Sequence, residues 1–458
     1  MSKEYDAIVI GSGTAGQTAA YELNRGGLSV GLVEHSDRPG GTCALAGCQA
    51  KKWFYEGTET VARSRHLAGI GISSPALADW SALREAKNRF TGSVPSNTVK
   101  GLKEAGIDFI QGRARFTGDR SIAADGREFS AGYIVVATGA VPMPLPLDGA
   151  EFILTSSEFM ELERLPPRIV FIGGGFISFE FAHFAARLGP PKIACTILEA
   201  APRPLGPFDE EMVGLLASAS EAAGIEIHSG VGVTDVEPAD GAFRVSTEDG
   251  RRFEADLVVH GAGRVPDIED LALDRAGIEA SRRGIQVDPN MATTNPRVFA
   301  AGDCAATIQL ARVADAEAMT AAANILRVAG GGGEAAVMDY AAVPSVLFTY
   351  PQYGMVGATE QALQEQGIAY RKSFGKELKW PTYRRIGMTG AAYKVLAGED
   401  GRILGAHILS DNAAGLIYGF TLAMVNGIPA ADLYRQSIMT PYPSRESDII
   451  YMLRPFTT

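Results

Sequence analysis

Apolar and polar positions over residues 5–35 fall into a repeating order. YDAIVI is an apolar run, GSGTAG a glycine-rich break, QTAAYELNRGG a mixed stretch and LSVGLVEH a second apolar run. Short apolar runs bounded by turn residues predict buried strands, so this block reads as strand, turn, helix and strand. The order recurs in RIVFIGGGFISFEFAHFAARLGPPKIACTILEA, residues 168–200. Each block is followed by a similar downstream segment, IVVATGAVP at 134–142 and LVVHGAGRVP at 257–266. RVFAAGDCAAT at 297–307 reads as one further strand, ending at Gly302 and Asp303. LRVAGGGGEAAVM at 326–338 reads as a linker. After it, strands such as SVLFTY and ILGAHIL alternate with helices before a polar tail. The predicted class is α/β, with two Rossmann-like dinucleotide-binding domains and a C-terminal α/β domain. Expected boundaries are 1–147 and 266–335 for the first nucleotide domain, 148–265 for the second and 336–458 for the last.

Glycine spacing gives both repeats a chemistry. Gly11, Gly13 and Gly16 follow GxGxxG between the predicted strand and helix, and Glu34 closes the second strand. The first glycine permits the tight turn, the second lets backbone approach a pyrophosphate, and the third lets helix and strand pack closely. The helix N-terminus faces the negative charge, and the acid suits a ribose diol. In the second repeat Gly173 and Gly175 hold the same places, Ser178 stands at the third glycine position, and Glu199 ends the strand. Two dinucleotide sites imply electrons moving from one cofactor to another. Glu199 favours a free ribose diol over a 2′-phosphate, and the AAPRPLG after it has no paired-arginine clamp, so NADH is expected over NADPH.

Composition excludes other classes. A net charge of −11 over 458 residues disfavours nucleic acid as the main partner. No apolar run approaches the roughly 20 residues of a membrane span. MSKEYD leads into a strand without a signal-peptide core, so the expected location is cytoplasmic.

Four cysteines remain to be explained. Cys43 and Cys48 lie five positions apart in GGTCALAGCQAKK. On a continuous helix, five steps of about 1.5 Å exceed the roughly 7 Å Cα separation a disulfide tolerates. A bridge needs a bend, which Gly47 permits, and a bridge so held is easily reduced. Cys195 and Cys304 are isolated from any CxxC or HxxxH pattern, so no metal site is expected. The pair is either redox-active or two buried small hydrophobes.

Taken together, GSGTAG with Glu34, GGTCALAGCQAKK, ATG at 137–139, GGGFISFE, GAGRVPD, AAGDCA and VPSVLFTYPQYGMVG resemble the flavoprotein disulfide reductases. This is the family of glutathione reductase, dihydrolipoamide dehydrogenase and mercuric reductase, and the likeness spans essentially the whole chain. The resemblance implies FAD contacts at Gly11, Gly13, Gly16, Glu34, Gly41, Thr42, Thr138, Gly139, Gly302 and Asp303. It implies a nicotinamide nucleotide at Gly173, Gly175, Ser178, Glu199 and Gly263. It makes Cys48 the sulfur against the flavin, Cys43 the outer sulfur that attacks substrate, Lys52 the lysine near the flavin's reactive nitrogen, and Glu180 its acidic partner. Phe176 falls where the family often has an aromatic gate, with core packing as the alternative. A homodimer is implied by the C-terminal segment.

The tail departs from the family. Where the relatives carry His-Pro-Thr-x-x-Glu, this chain has Tyr442, Pro443, Ser444, Arg445, Glu446 and Ser447, so tyrosine replaces the histidine and Ser447 the supporting glutamate. Tyrosine, with an ordinary pKa near 10, donates a proton but is a poor base at neutral pH. The expected activity is electron transfer from NADH through FAD and the cysteine pair to a small disulfide or thiol-reactive acceptor, with Tyr442 as proton donor. Alternatives are a mercuric-type metal-ion reductase, although MLRPFTT contains no cysteine pair, a quinone or dye reductase working directly from the flavin, and a redox-sensing flavoprotein.

Overall fold

The computed structural model describes residues 3–457. The chain forms two units, one from Met1–Lys52, Glu85–Pro144 and Gly263–Asp339, the other from Trp53–Arg84, Leu145–Ala262 and Tyr340–Thr458.

In the first unit the apolar runs become a parallel sheet. Its strands are ordered Asp108–Gln111, Val30–Glu34, Lys3–Ile10, Arg127–Val136 and Val298–Ala300, with a short antiparallel extension on Arg127–Val136. All five residues of Val30–Glu34 are buried, as expected for a strand covered on both faces. Two apolar clusters form those faces. Tyr5, Ile8 and Phe116 belong to one, and Val9, Leu32 and helix residues such as Ala19, Leu23 and Ile325 to the other. The Thr14–Arg25 helix begins at Gly13 and packs beside Ala311–Ala329.

The second unit repeats the design with the parallel order Ile225–Ser229, Ala194–Glu199, Arg168–Ile172, Leu257–His260 and Ile153–Leu154. The repeat extends to individual hydrogen bonds. Gly11 donates to Val33 O at 2.8 Å and Gly173 to Leu198 O at 2.7 Å, while Ala137 donates to Ile10 O and Gly261 to Ile172 O, both at 2.8 Å. This unit also holds a five-stranded antiparallel sheet, ordered Ser345–Leu347, Gln352–Gly357, Ile403–Ser410, Ala392–Ala397 and Arg371–Gly375, backed by the Ala413–Val425 helix. An ion cluster lies within the unit. Lys394, fully buried, reaches Asp209 at 2.8 Å, Glu211 at 2.9 Å and Glu360 at 2.6 Å. Asp209 also caps the Glu210–Ala222 helix, so the cluster ties that helix to the antiparallel sheet.

Two expectations about the later chain need correction. The 326–338 stretch is not all linker, because the Ala311–Ala329 helix runs through Leu326 to Ala329 and ends at Gly330. The tail is not merely polar, because Ile449–Leu453 is helical and buries Ile449, Met452 and Leu453 in the C-terminal core. Residues 449–453 form one unbroken run, Ile-Ile-Tyr-Met-Leu, and a five-residue run with so little polar contrast shows no helical period.

Candidate functional site

In the first unit the glycine loop and the cysteine segment pack together. A Cβ on Gly41 would sit 2.3 Å from the Gly13 Cα, so only glycine lets the Gly41–Leu45 helix lie on the dinucleotide turn. Cys43 is therefore carried by a helix resting on the loop that would hold a pyrophosphate. Glu34 is 7% exposed, and one of its carboxylate oxygens accepts both the Ser12 amide at 2.9 Å and the Ser12 hydroxyl at 2.6 Å. The other accepts the Ser36 amide at 2.7 Å. Thr138 and Gly139 follow the Arg127–Val136 strand, and Gly139 O accepts the Asp267 amide at 3.0 Å. Gly302 donates to the buried Glu317 carboxylate at 2.7 Å. Burial pushes the carboxyl of Asp303, next in the chain, upward, and the Arg264 guanidinium opposes the shift. Gly263 O accepts the Met143 amide at 3.1 Å. A glycine cradle, a helix N-terminus without a side-chain cap and a buried acid at the strand end suit the pyrophosphate and ribose of FAD.

The backbone bends between the cysteines as their spacing requires. Gly41–Leu45 ends at Ala46, and the next helix, Cys48–His66, starts after Gly47. A Cβ on Gly47 would lie 2.8 Å from Thr42 O. Both cysteines are thiols here, Cys43 half-buried and Cys48 exposed. A hydrogen bond with the Cys48 sulfur is the main influence raising the Cys43 pKa; burial adds to it, and a hydrogen bond with Thr14 works the other way. Thr42 is exposed beside Cys43, and Lys52 is half-buried one turn beyond Cys48. The other two cysteines are inert. Burial pushes the Cys304 thiol up to about 11 and the Cys195 thiol up to about 12.

In the second unit Glu199 mirrors Glu34. One of its oxygens accepts the Gly174 amide at 2.5 Å and the other the Ala201 amide at 2.6 Å. The serine at the third glycine position is accommodated from the strand side, since a Cβ on Gly261 would lie 2.0 Å from Ser178 Oγ. Gly175 is the N-cap of Phe176–Ala186, and Gly173 takes a left-handed φ of 94°. Phe176 is 47% exposed, which excludes core packing. Glu180 is 1% exposed, and its Oε1 accepts the Phe348 amide at 2.9 Å. Arg203 donates to the carbonyls of Leu205 at 3.3 Å, Phe208 at 3.1 Å and Gly206 at 2.6 Å, which commits the one cation of the AAPRPLG loop to backbone. Tyr442 is 82% exposed. Ser447 turns its hydroxyl to Ser444, donating to Ser444 O at 2.7 Å. Among the described residues, no cluster of three or more His, Cys, Asp or Glu could hold a metal ion.

Ser12, Ser36, Gly174, Ala201, Gly261 and Arg264 were not anticipated from the sequence. For four of them a signal exists in the repeat itself: the middle residue of each GxG and the second residue after each acid donate their amides to that acid.

A family described as pyridine nucleotide-disulphide oxidoreductase matches residues 5–318, and its dimerisation domain matches residues 343–448. The chain is 28% identical to a glutathione reductase of Schizosaccharomyces pombe, covering 99% of each chain. It is 31% identical to a mercuric reductase of Staphylococcus aureus over 94% of this chain and 79% of the relative. A structure titled as the Cu(II) complex of the HOCl-induced flavoprotein disulfide reductase RclA from Escherichia coli superposes with a TM-score of 0.87 at 25% identity, covering 99% of this chain and 100% of the other.

Proposed function

Because the chain belongs to the pyridine nucleotide-disulphide oxidoreductases, enzymes that use FAD with NAD(P)H, we propose that it takes electrons from NADH and passes them through Cys43 and Cys48 to a low-molecular-weight disulfide or similar thiol-reactive acceptor. The observation that carries this reading is the hydrogen bond between the two sulfurs, Cys43 on the helix resting against Gly13 and Cys48 at the start of the next helix. FAD, when bound, relays the two electrons of a hydride from the nicotinamide to the cysteine disulfide.

The chain's own residues account for the rest. Cleavage of the Cys43–Cys48 bond by two electrons leaves a thiolate on Cys48, favoured by the Lys52 cation, and a sulfhydryl on Cys43. Cys43, once deprotonated, attacks one sulfur of the acceptor, whose S–S bond breaks. The departing thiolate takes its proton from Tyr442. Cys48 then attacks Cys43 in the mixed disulfide, releases the second thiolate and restores the pair. Ionised Tyr442 and the second thiolate are reprotonated from solvent.

NADH preference rests on Glu199 and on Arg203, whose guanidinium is occupied by carbonyls and is not offered to a 2′-phosphate. Exposed Tyr418, Leu422 and Val425 on one helix, with Ile438 and Met439, support a homodimer through the dimerisation domain. In that dimer Tyr442 serves the partner's cysteine pair.

A second reading is reduction of a thiophilic metal ion, supported by the mercuric reductase relative and the Cu(II)-bound structural neighbour. Two adjacent sulfurs are a soft donor set suited to such a substrate. An anaerobic NADH titration, watched for a long-wavelength thiolate-to-flavin band, and then an acceptor panel of disulfides, Hg(II), Cu(II) and a dye test these readings. Cys43→Ser should end turnover with disulfides; undiminished disulfide turnover overturns the proposal.

A further inference from the structure

Asp411 lies between the Ile403–Ser410 strand and the Ala413–Val425 helix and is 7% exposed. Its carboxylate binds Arg445 with both oxygens, from Nε at 2.6 Å and Nη2 at 3.2 Å. The Arg445 side chain is itself only 10% exposed. Its guanidinium stacks 4.3 Å from the centroid of the buried Tyr383 ring, whose hydroxyl donates to Ser410 Oγ at 3.1 Å. Arg63 also donates to Asp411, at 3.3 Å to Oδ2 and 3.1 Å to its carbonyl, and pairs with Glu59 at 2.8 Å. Two carboxylates thus face two guanidinium groups, of which the Arg445 side chain is 10% exposed and that of Arg63 45%.

The turn carrying Arg445 is anchored along its length. Arg385 donates to Pro443 O at 3.4 Å, the Ser444 and Ser447 amides each donate to the other's hydroxyl at 3.2 Å, and Asn412 donates to Glu446 Oε1 at 2.7 Å. Tyr442, one residue earlier, is 82% exposed, between exposed Pro441 and Pro443. Ser447, which occupies the place of a supporting glutamate, spends its hydroxyl on Ser444. The direction of the Tyr442 side chain is therefore set through the turn's backbone.

We propose that Arg445 is a positioning residue for the acceptor half-reaction: through Asp411 it fixes the 443–447 turn and with it the point at which the Tyr442 hydroxyl meets the departing thiol. The inference rests on the reading of Tyr442 as proton donor. A planar two-point pair inside a buried site holds direction as well as distance, which a lysine's single point charge does not. Misplacement by about 1 Å costs up to about 100-fold in rate.

The test uses the full-length FAD-loaded enzyme, NADH, bis(2-hydroxyethyl) disulfide, whose alkyl thiolate leaving group is basic enough to take up a proton, and dichlorophenolindophenol as dye. Arg445→Gln should lower kcat with the disulfide by about tenfold to 100-fold while leaving dye turnover and kcat/KM for NADH unchanged, and Arg445→Lys should recover part of the loss. Tyr442→Phe combined with Arg445→Gln should be no slower than Tyr442→Phe alone. Multiplying losses in the double variant, or an equal fall in dye turnover, overturns the proposal. If Tyr442→Phe alone is without effect while Arg445→Gln is slow, the Tyr442 reading fails, and the proposed route for Arg445 fails with it. Should Arg445→Gln not fold, Asp411→Asn removes the charge pair at nearly constant shape and is held to the same outcomes.

Discussion

The Cys43 thiol is hydrogen-bonded to the Cys48 sulfur across a break between two helices. The break depends on Gly47, where a Cβ would press against Thr42 O at 2.8 Å. Gly47→Ala should move Cys43 relative to Cys48 and cost about 1–3 kcal/mol of stability, the usual range for overpacking. Urea unfolding checks the second effect. Quantifying free thiols after oxidation by air checks the first, with slower loss of the Cys43 and Cys48 thiols expected in the variant.

The proposed preference for NADH rests on Glu199 and Arg203 jointly. Glu199→Gln removes a charged ribose partner, worth about tenfold in kcat/KM for NADH. NADPH should gain only from the lost repulsion, because Arg203 stays committed to the carbonyls of Leu205, Gly206 and Phe208. Steady-state rates with both nucleotides check this. Full conversion to an NADPH enzyme by this single change would show that Arg203 leaves its carbonyls.

Both nucleotide-binding repeats were legible because their signal is local: glycines at fixed spacing, an apolar run on either side and an acid at the strand end. The cysteine bend was legible for the same reason, since five helical steps and one glycine decide it. Asp411–Arg445 and the Lys394 cluster were not, because their partners lie 34 to 185 positions apart and nothing in a one-dimensional pattern pairs them. Ser178 lay between these cases. Its small size was readable, but the glycine that makes room for it, Gly261, follows the Leu257–His260 strand far along the chain.

Stability should fall with acid through His183. This imidazole is 1% exposed, accepts the Tyr350 amide on Nδ1 at 3.2 Å and shares a 2.8 Å hydrogen bond between Nε2 and Ser220 Oγ. Ser220 donates its own hydrogen to Leu216 O at 2.8 Å, so Nε2 is the donor and the ring is neutral. Burial, and then the Arg187 charge, hold its pKa well below the ordinary 6.5. The unfolded chain therefore binds a proton that the folded chain refuses, and stability drops as pH falls below 6.5, by about 1.4 kcal/mol per pH unit for this group. His183→Asn keeps an acceptor for Tyr350 and should flatten the slope of unfolding free energy between pH 6.5 and 5 by one proton. An unchanged slope would assign the acid sensitivity elsewhere.

Lys394 makes a second prediction about acid, in the same direction. Burial pushes Glu360 up, but hydrogen bonds from Lys394, Lys372 and Tyr370 outweigh it and bring the carboxyl down to about 2. In the native enzyme the stability this pair contributes is complete above the ordinary 4.5 and is lost as pH falls from there through about 2. Lys394→Met leaves Asp209 and Glu360 without the cation buried between them, a change that costs about 3–5 kcal/mol near neutrality. With the cation gone, burial dominates at Asp209, which protonates more readily in the folded variant than in its unfolded chain, while Lys372 still pairs with Glu360. The variant therefore recovers relative to the native enzyme on acidification, and the gap between the two should narrow steadily from pH 7 to pH 4. Urea unfolding at four or five pH values measures that gap. A deficit independent of pH would mean that Lys394 stabilises the fold by packing its methylenes and not by its charge.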